Sequence, residues 1–211
     1  MFKSKLSCLA LVLSLSACTK AVSPPLSTTT SVSTATNTDT AVPTTALKAD
    51  WAGKHDTWTP ILAQALKDNG QELLTGKYTG ACDDRLQFYV MLFSAIALEE
   101  SSWKPGETMK EVFNGSNGQA QVSAGLLQVS LDDAGIYGCP FKTANDIIDV
   151  KNNLVCGVKI LSKLTARDGV LTAGSSSHDA KGGARYWSTM RTGPKWARIL
   201  AKAKATCVAA K

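Results

Sequence analysis

Histidine is scarce in this chain: its 211 residues include two, His55 and His178. They lack metal-ligand spacing and no Cys-x-x-Cys pair accompanies them, which argues against zinc or any other bound metal. No tract after residue 17 supplies the roughly 20 consecutive apolar residues that a membrane-spanning helix needs. Charge of one sign is modest too. The formal net charge is +6, and setting aside residues 1–17, which hold Lys3 and Lys5 but no acid, leaves +4 dispersed along the chain. That balance is too small to argue for a nucleic-acid partner, although it suits loose attraction to an anionic envelope. No internal repeat is present. With 44% hydrophobic and 19% charged residues, the composition is that of a globular protein with one domain.

The N-terminus reads as an address. Lys3 and Lys5 form a short basic region, and Leu6 to Leu15 a brief apolar core, too short to span a membrane. The segment ends in Leu15-Ser16-Ala17-Cys18, which resembles the bacterial lipobox. The resemblance implies cleavage after residue 17 and acylation of Cys18, whose chains would anchor the protein to a membrane. Thr19, rather than Asp, follows the cysteine, which by the same resemblance favours the outer membrane, facing the periplasm. An ordinary secretory signal, with Cys18 incidental, is the alternative. From Thr19 to Ala46, 14 of 28 residues are Ser or Thr, with Pro24, Pro25 and Pro43 among them. Such a segment cannot bury enough surface to offset chain entropy. Residues 18–46 are therefore expected to form a tether and residues 47–211 one folded domain.

Of six cysteines, Cys8 leaves with the signal and Cys18 takes the lipid, so Cys82, Cys139, Cys156 and Cys207 remain. Four cysteines in an exported domain favour two disulfides, with three connectivities open. The favoured pairing is Cys139–Cys156, closing a short loop, with Cys82–Cys207 tying down the C-terminal tail.

The domain's signals are mostly helical. Thr59-Pro60 supplies an N-cap residue followed by proline, and Gly70 a stop. Leu86 to Leu98 is almost continuously apolar, without Gly or Pro, and predicts a buried central helix. Asp149 can cap a helix in which Val150, Leu154, Val158 and Leu161 recur at helical spacing. Gly193-Pro194 opens a last helix through about Ala205. Residues 104–124, rich in Gly, Asn and Ser, predict a long functional loop with room for a strand pair.

Chemistry gathers where the most apolar helix ends, at Leu98-Glu99-Glu100-Ser101-Ser102-Trp103-Lys104-Pro105. A carboxyl group in apolar surroundings resists ionisation and can donate a proton near neutral pH. Surface acids at a helix end are the plainer reading, and periodicity does not choose between Glu99 and Glu100. The segment resembles the first motif of the soluble lytic transglycosylase family of the lysozyme-like superfamily, whose catalytic glutamate falls on Glu100, followed by Ser101. Gly125-Leu126-Leu127-Gln128 resembles the second motif, in which the glycine allows close backbone approach to the sugar and the glutamine can bond it. Asn153-Leu154 with Gly157 resembles the third. Ala184-Arg185-Tyr186-Trp187 is a looser match to the fourth, whose tyrosine bonds the catalytic carboxyl and lines the saccharide cleft. The fourth motif lacks its usual asparagine, leaving open whether Tyr186 or Trp187 faces the cleft.

The resemblance implies a mainly α, lysozyme-like domain with a small β-hairpin. Its site would comprise Glu100 as catalytic group and Ser101, Leu127, Gln128, Tyr186 and Trp187 as substrate contacts. It implies a monomer acting on peptidoglycan glycan strands, without metal or organic cofactor. One glutamate would protonate the oxygen between MurNAc and GlcNAc, then deprotonate the MurNAc 6-hydroxyl to close a 1,6-anhydro ring. A muramidase-type hydrolase needs a second carboxylate, for which Asp132, Asp133 and Glu111 are the candidates. Goose-type lysozymes carry Asp two residues after the second motif's glutamine; Ser130 stands there in this chain. A wall-binding lipoprotein without catalysis is the third reading. Trp103, Tyr137, Tyr186 and Trp187 are candidates for sugar stacking, with core packing an equal reading for Trp103. Arg185 and Arg191 could meet stem-peptide carboxylates, or be merely solvated or ion-paired.

Overall fold

The computed structural model describes residues 46–80 and 82–207, with the side chains of His55 and Asp56 excepted. The expected signal, Cys18 and residues 19–45 of the expected tether lie outside the described residues. About half of the described chain is helical, with a small antiparallel sheet.

The first long helix, α1 (His55–Asn69), starts a turn before the Thr59-Pro60 pair. Thr59 does not cap it, because its hydroxyl accepts the Trp51 indole N–H at 3.1 Å. Gly70 ends α1 as expected, its N–H bonding the Leu66 carbonyl, and a short α2 (Gln71–Thr75) follows. The central helix α3 (Arg85–Ser101) begins where the Asp84 carboxylate accepts the Gln87 N–H. It is buried on almost every side because its sequence is apolar on every side. It packs against α1, α2 and the last helix, α7 (Pro194–Lys204).

Beyond α3 the chain forms the strand pair. β1 (Thr108–Asn114) runs antiparallel to β2 (Ala120–Ala124), and β2 to the two-residue β3 (Val129–Ser130). Two short helices, α4 (Asp133–Tyr137) and α5 (Ala144–Ile148), lead to α6 (Val150–Asp168). Asp149 caps α6 as the spacing predicts, accepting the Asn152 N–H at 2.9 Å, and Leu154, Val158 and Leu161 are fully buried. After α6 come a strand pair, β4 (Thr172–Ala173) with β5 (Lys181–Gly182), and 3₁₀ turns at Gly183–Arg185 and Ser188–Met190.

Two disulfides close the domain with the favoured pairing, Cys82–Cys207 and Cys139–Cys156. No described helix is long and apolar enough to cross a membrane.

Candidate active site

A cleft of about 430 Å³ opens between the end of α3, the β1–β2 hairpin and the segment 185–191. Glu100, in the last turn of α3, lines it, whereas Glu99 points to the other side, where Arg198 of α7 grips both carboxylate oxygens at 3.0 Å. The helix stops sharply. Ser102 and Trp103 both take left-handed backbone angles, φ 51° and 58°, and the Trp103 indole N–H returns to the Ser94 carbonyl at 2.9 Å. Trp103 thus locks the helix end and lies outside the cleft lining. Burial raises the Glu100 pKa above the ordinary carboxylate range. A hydrogen bond from the Thr189 hydroxyl and the charge of Lys195 oppose the shift, while Glu111 and Glu99 add to it.

The opposite wall is β1. Alternation along a strand sends every second side chain to one face, so Met109, Glu111 and Phe113 all line the cleft. The pairing slips between Lys110 and Asn114, and such irregularities re-aim side chains next to functional sites. Glu111 sits within this stretch, half-buried, and accepts the Ser123 hydroxyl at 2.6 Å.

The floor is the turn Gly125–Gln128. Gln128 is 5% exposed, with a left-handed φ of 46°. Its amide NH₂ donates to the carbonyls of Gly125 and Glu107, at 2.9 and 3.1 Å. This fixes the amide's orientation and leaves Oε1 without a partner among the described residues. Asn153, fully buried on α6, holds the turn from behind: it accepts the Leu127 N–H at 2.9 Å and donates to Ala124 and Ile147. Gly125 leaves the space that Asn153 occupies. Its φ is +81°, and a Cβ there would lie 2.1 Å from the Asn153 amide nitrogen.

Two expected substrate contacts prove to be internal. Leu127 is fully buried and fills the notch left by Gly157, where a Cβ would come within 2.2 Å of its Cδ1. Ser101, 4% exposed, places its hydroxyl on the carbonyls of Ala97 and Leu126, at 3.0 and 2.9 Å. It staples α3 to the turn and lies outside the cleft lining.

Tyr186 and Trp187 both reach the cleft wall. Trp187 is 2% exposed and its indole N–H donates to the Leu127 carbonyl at 2.8 Å, so it braces the floor. The Tyr186 hydroxyl meets Asp133, not the catalytic carboxyl expected from the fourth motif; the hydroxyl on Glu100 is that of Thr189. Asp133 is 2% exposed and also accepts the Ser130 N–H at 2.7 Å. Burial still lifts its pKa above the usual range. Asp132 accepts the N–H and hydroxyl of Ser116, both at 2.7 Å, which lower its pKa. Tyr137 packs edge-on against Tyr186 at 6.1 Å behind the wall.

No protein-family model matches the chain, and no curated protein matches it. Among solved structures, the wild-type form 2 of Bd0314 DslA is 31% identical, covering 75% of this chain and 93% of that one, with a TM-score of 0.67. The chain belongs to the DslA family. Two glutamate-to-glutamine mutants of the same protein are each 30% identical with TM-scores of 0.68; they cover 77% and 75% of this chain and 95% and 93% of their own.

Within this DslA-family domain, sequence reading finds Glu100 and Gln128 and counts Glu111 among the candidate carboxylates. It misses Thr189, Met109 and Phe113. The alternation Met109-Lys110-Glu111-Val112-Phe113 is the signal that could have found the strand face. Thr189 has no such signal, since it reaches Glu100 across 89 residues of chain.

Proposed function

We propose that this chain is a lysozyme-like glycosidase that cleaves the MurNAc–GlcNAc bond of peptidoglycan by hydrolysis, with Glu100 as acid and Glu111 as second carboxylate. The observation that carries this reading is that one cleft is lined by both groups, the first enclosed by burial that raises its pKa, the second half-open and hydrogen-bonded by Ser123. A second support comes from the relative. Its two mutants replace glutamates that stand eleven positions apart in that chain, the same spacing as Glu100 and Glu111 here.

In this mechanism Glu100 gives its proton to the glycosidic oxygen as the bond from MurNAc C1 breaks, and the electron pair leaves with GlcNAc as a hydroxyl. Glu111 takes a proton from a water molecule, whose oxygen bonds to the oxocarbenium-like C1. Exchange with solvent returns both carboxyls to their starting states. The buried side-chain oxygen of Gln128, without a partner among the described residues, is an acceptor that a sugar N–H or O–H seated on the cleft floor would satisfy. Neither step asks for a metal or an organic cofactor.

The reading that the motifs imply, a lytic transglycosylase in which Glu100 alone acts as acid and then base, draws support from Ser130, which stands where goose-type lysozymes carry Asp. Product analysis separates the two. Mass spectrometry of digested sacculi is expected to find reducing ends, and Glu100→Gln and Glu111→Gln each to lower the rate at least a hundredfold. Anhydro ends, with Glu111→Gln retaining activity, would establish the transglycosylase. No cleavage by the wild type would leave a wall-binding protein. The lipobox reading adds a place for this reaction, with the domain held by acylated Cys18 at the outer membrane, facing the periplasm.

A further inference from the structure

Two arginines line the cleft, Arg185 and Arg191, and the structure separates their roles. The Arg185 guanidinium is engaged by Asp168, with Nε at 2.7 Å from one carboxylate oxygen and a terminal nitrogen 3.4 Å from the other. Asp168 also accepts the Gly182 N–H at 2.6 Å and meets Arg167, and these partners hold it well below the usual carboxylate range. Arg185 is therefore part of the brace between α6 and the β5 turn.

Arg191 differs. Its single described side-chain hydrogen bond runs from Nε to the Ala184 carbonyl at 3.3 Å, and among the described residues no carboxylate pairs with it. Its two terminal nitrogens are left for a ligand. The backbone beneath it is fixed on both sides: Thr172 donates to the Met190 carbonyl at 2.7 Å, and the Thr192 N–H to Gly174 at 2.8 Å. Two residues earlier the same segment delivers Thr189 to Glu100. The backbone that carries the guanidinium is thus held at a set position relative to the acid, and Arg191 itself is half-buried. The cleft is also lined by four acidic side chains, Glu100, Glu111, Asp132 and Asp133. The described hydrogen bonds of Asp132 and Asp133 run to Ser116, Ser130 and Tyr186, and neither carboxylate is paired with Arg191.

We propose that Arg191 binds a carboxylate carried by the glycan, so that the cleft selects muramyl-bearing strands over neutral ones. This rests on the glycosidase reading above. A planar guanidinium with two free nitrogens recognises a carboxylate in a bidentate manner. Two carboxylates of the proposed substrate share that chemistry: those of the stem peptide, and the lactyl group once the stem has been removed.

The test compares wild type, Arg191→Gln and Arg191→Lys on solubilised glycan strands bearing stems, on strands stripped of stems, and on both after carbodiimide amidation of their carboxylates. Amidation should lower wild-type kcat/KM about tenfold to a hundredfold, the effect of losing a charge-assisted hydrogen bond. Arg191→Gln should show that loss on untreated strands and no further loss on amidation, with Arg191→Lys in between. The strand type that shows the gap identifies which carboxylate is bound. Equal sensitivity of wild type and Arg191→Gln to amidation would overturn the proposal. Binding of the same strands to Glu100→Gln and to Glu100→Gln/Arg191→Gln, by titration calorimetry, separates the two inferences. A charge-dependent binding gap without cleavage by the wild type would keep the carboxylate site and remove the reaction. Cleavage indifferent to strand charge would do the reverse.

Discussion

Glu100 stands between opposing influences, and Thr189 moderates a shift that burial dominates. Burial and two neighbouring carboxylates favour the protonated form, while the Thr189 hydroxyl donates to the carboxyl and favours its ionised form. Removing that donor with Thr189→Val should raise the Glu100 pKa further. The acid would then hold its proton to higher pH, so the alkaline limb of the kcat/KM profile should move up. Loss of the positioning contact should lower the maximum by about tenfold. Thr189→Ser, which keeps the hydroxyl, should restore both the limb and the rate. An alkaline limb that stays in place, or moves down, would show that Thr189 does not tune the acid. This partnership was not legible in the sequence, because a hydroxyl that meets a carboxylate across most of the domain leaves no local pattern. Glu100 itself was legible because the apolar run before it and the Glu-Ser pair are both local.

Among the elements, helix ends with a cap were read correctly and the Thr59-Pro60 start was not. Asp149 has no competing partner for its carboxylate, so its cap forms; the Thr59 hydroxyl is occupied by Trp51. The hairpin was visible only as a loop with room for strands, since its Gly- and Ser-rich connection masks the alternation. In residues 125–128 the structure adds a packing reason to the motif. Gly125 makes room for Asn153, and the pair holds Gln128 at the floor of the cleft. Gly125→Ala should therefore cost more than the left-handed conformation alone. Gly118 provides the comparison, with φ +75° and nothing within 4 Å of its absent Cβ. Gly118→Ala should lose about 1 kcal/mol, the cost of the backbone conformation. Gly125→Ala should lose roughly 1–3 kcal/mol more through the clash, read as a difference in denaturant midpoint at equal m-value. Equal losses would mean that Asn153 moves aside without penalty.

At the scale of the molecule, the two disulfides differ mainly in how much chain they enclose. Cys82 and Cys207 are 125 residues apart, and Cys139 and Cys156 are 17. In the chain-entropy account this corresponds to about 5 and about 3 kcal/mol. Replacing Cys82 and Cys207 with serine should lower the unfolding free energy by more than replacing Cys139 and Cys156, and urea titration of the two double variants checks the order. The pairing was readable because four cysteines leave three connectivities, one of them with a short loop. Which elements the long bridge joins was not readable, since it depends on how α7 lies against α3. Glu100, Glu111, Gln128, Thr189 and Arg191 all fall between Cys82 and Cys207, so the whole cleft belongs to one covalent ring. A protease that cuts the exposed β1–β2 connection would open that ring without releasing a fragment. Both walls of the cleft would remain parts of a single molecule, and their separation would require a reductant or a second cut.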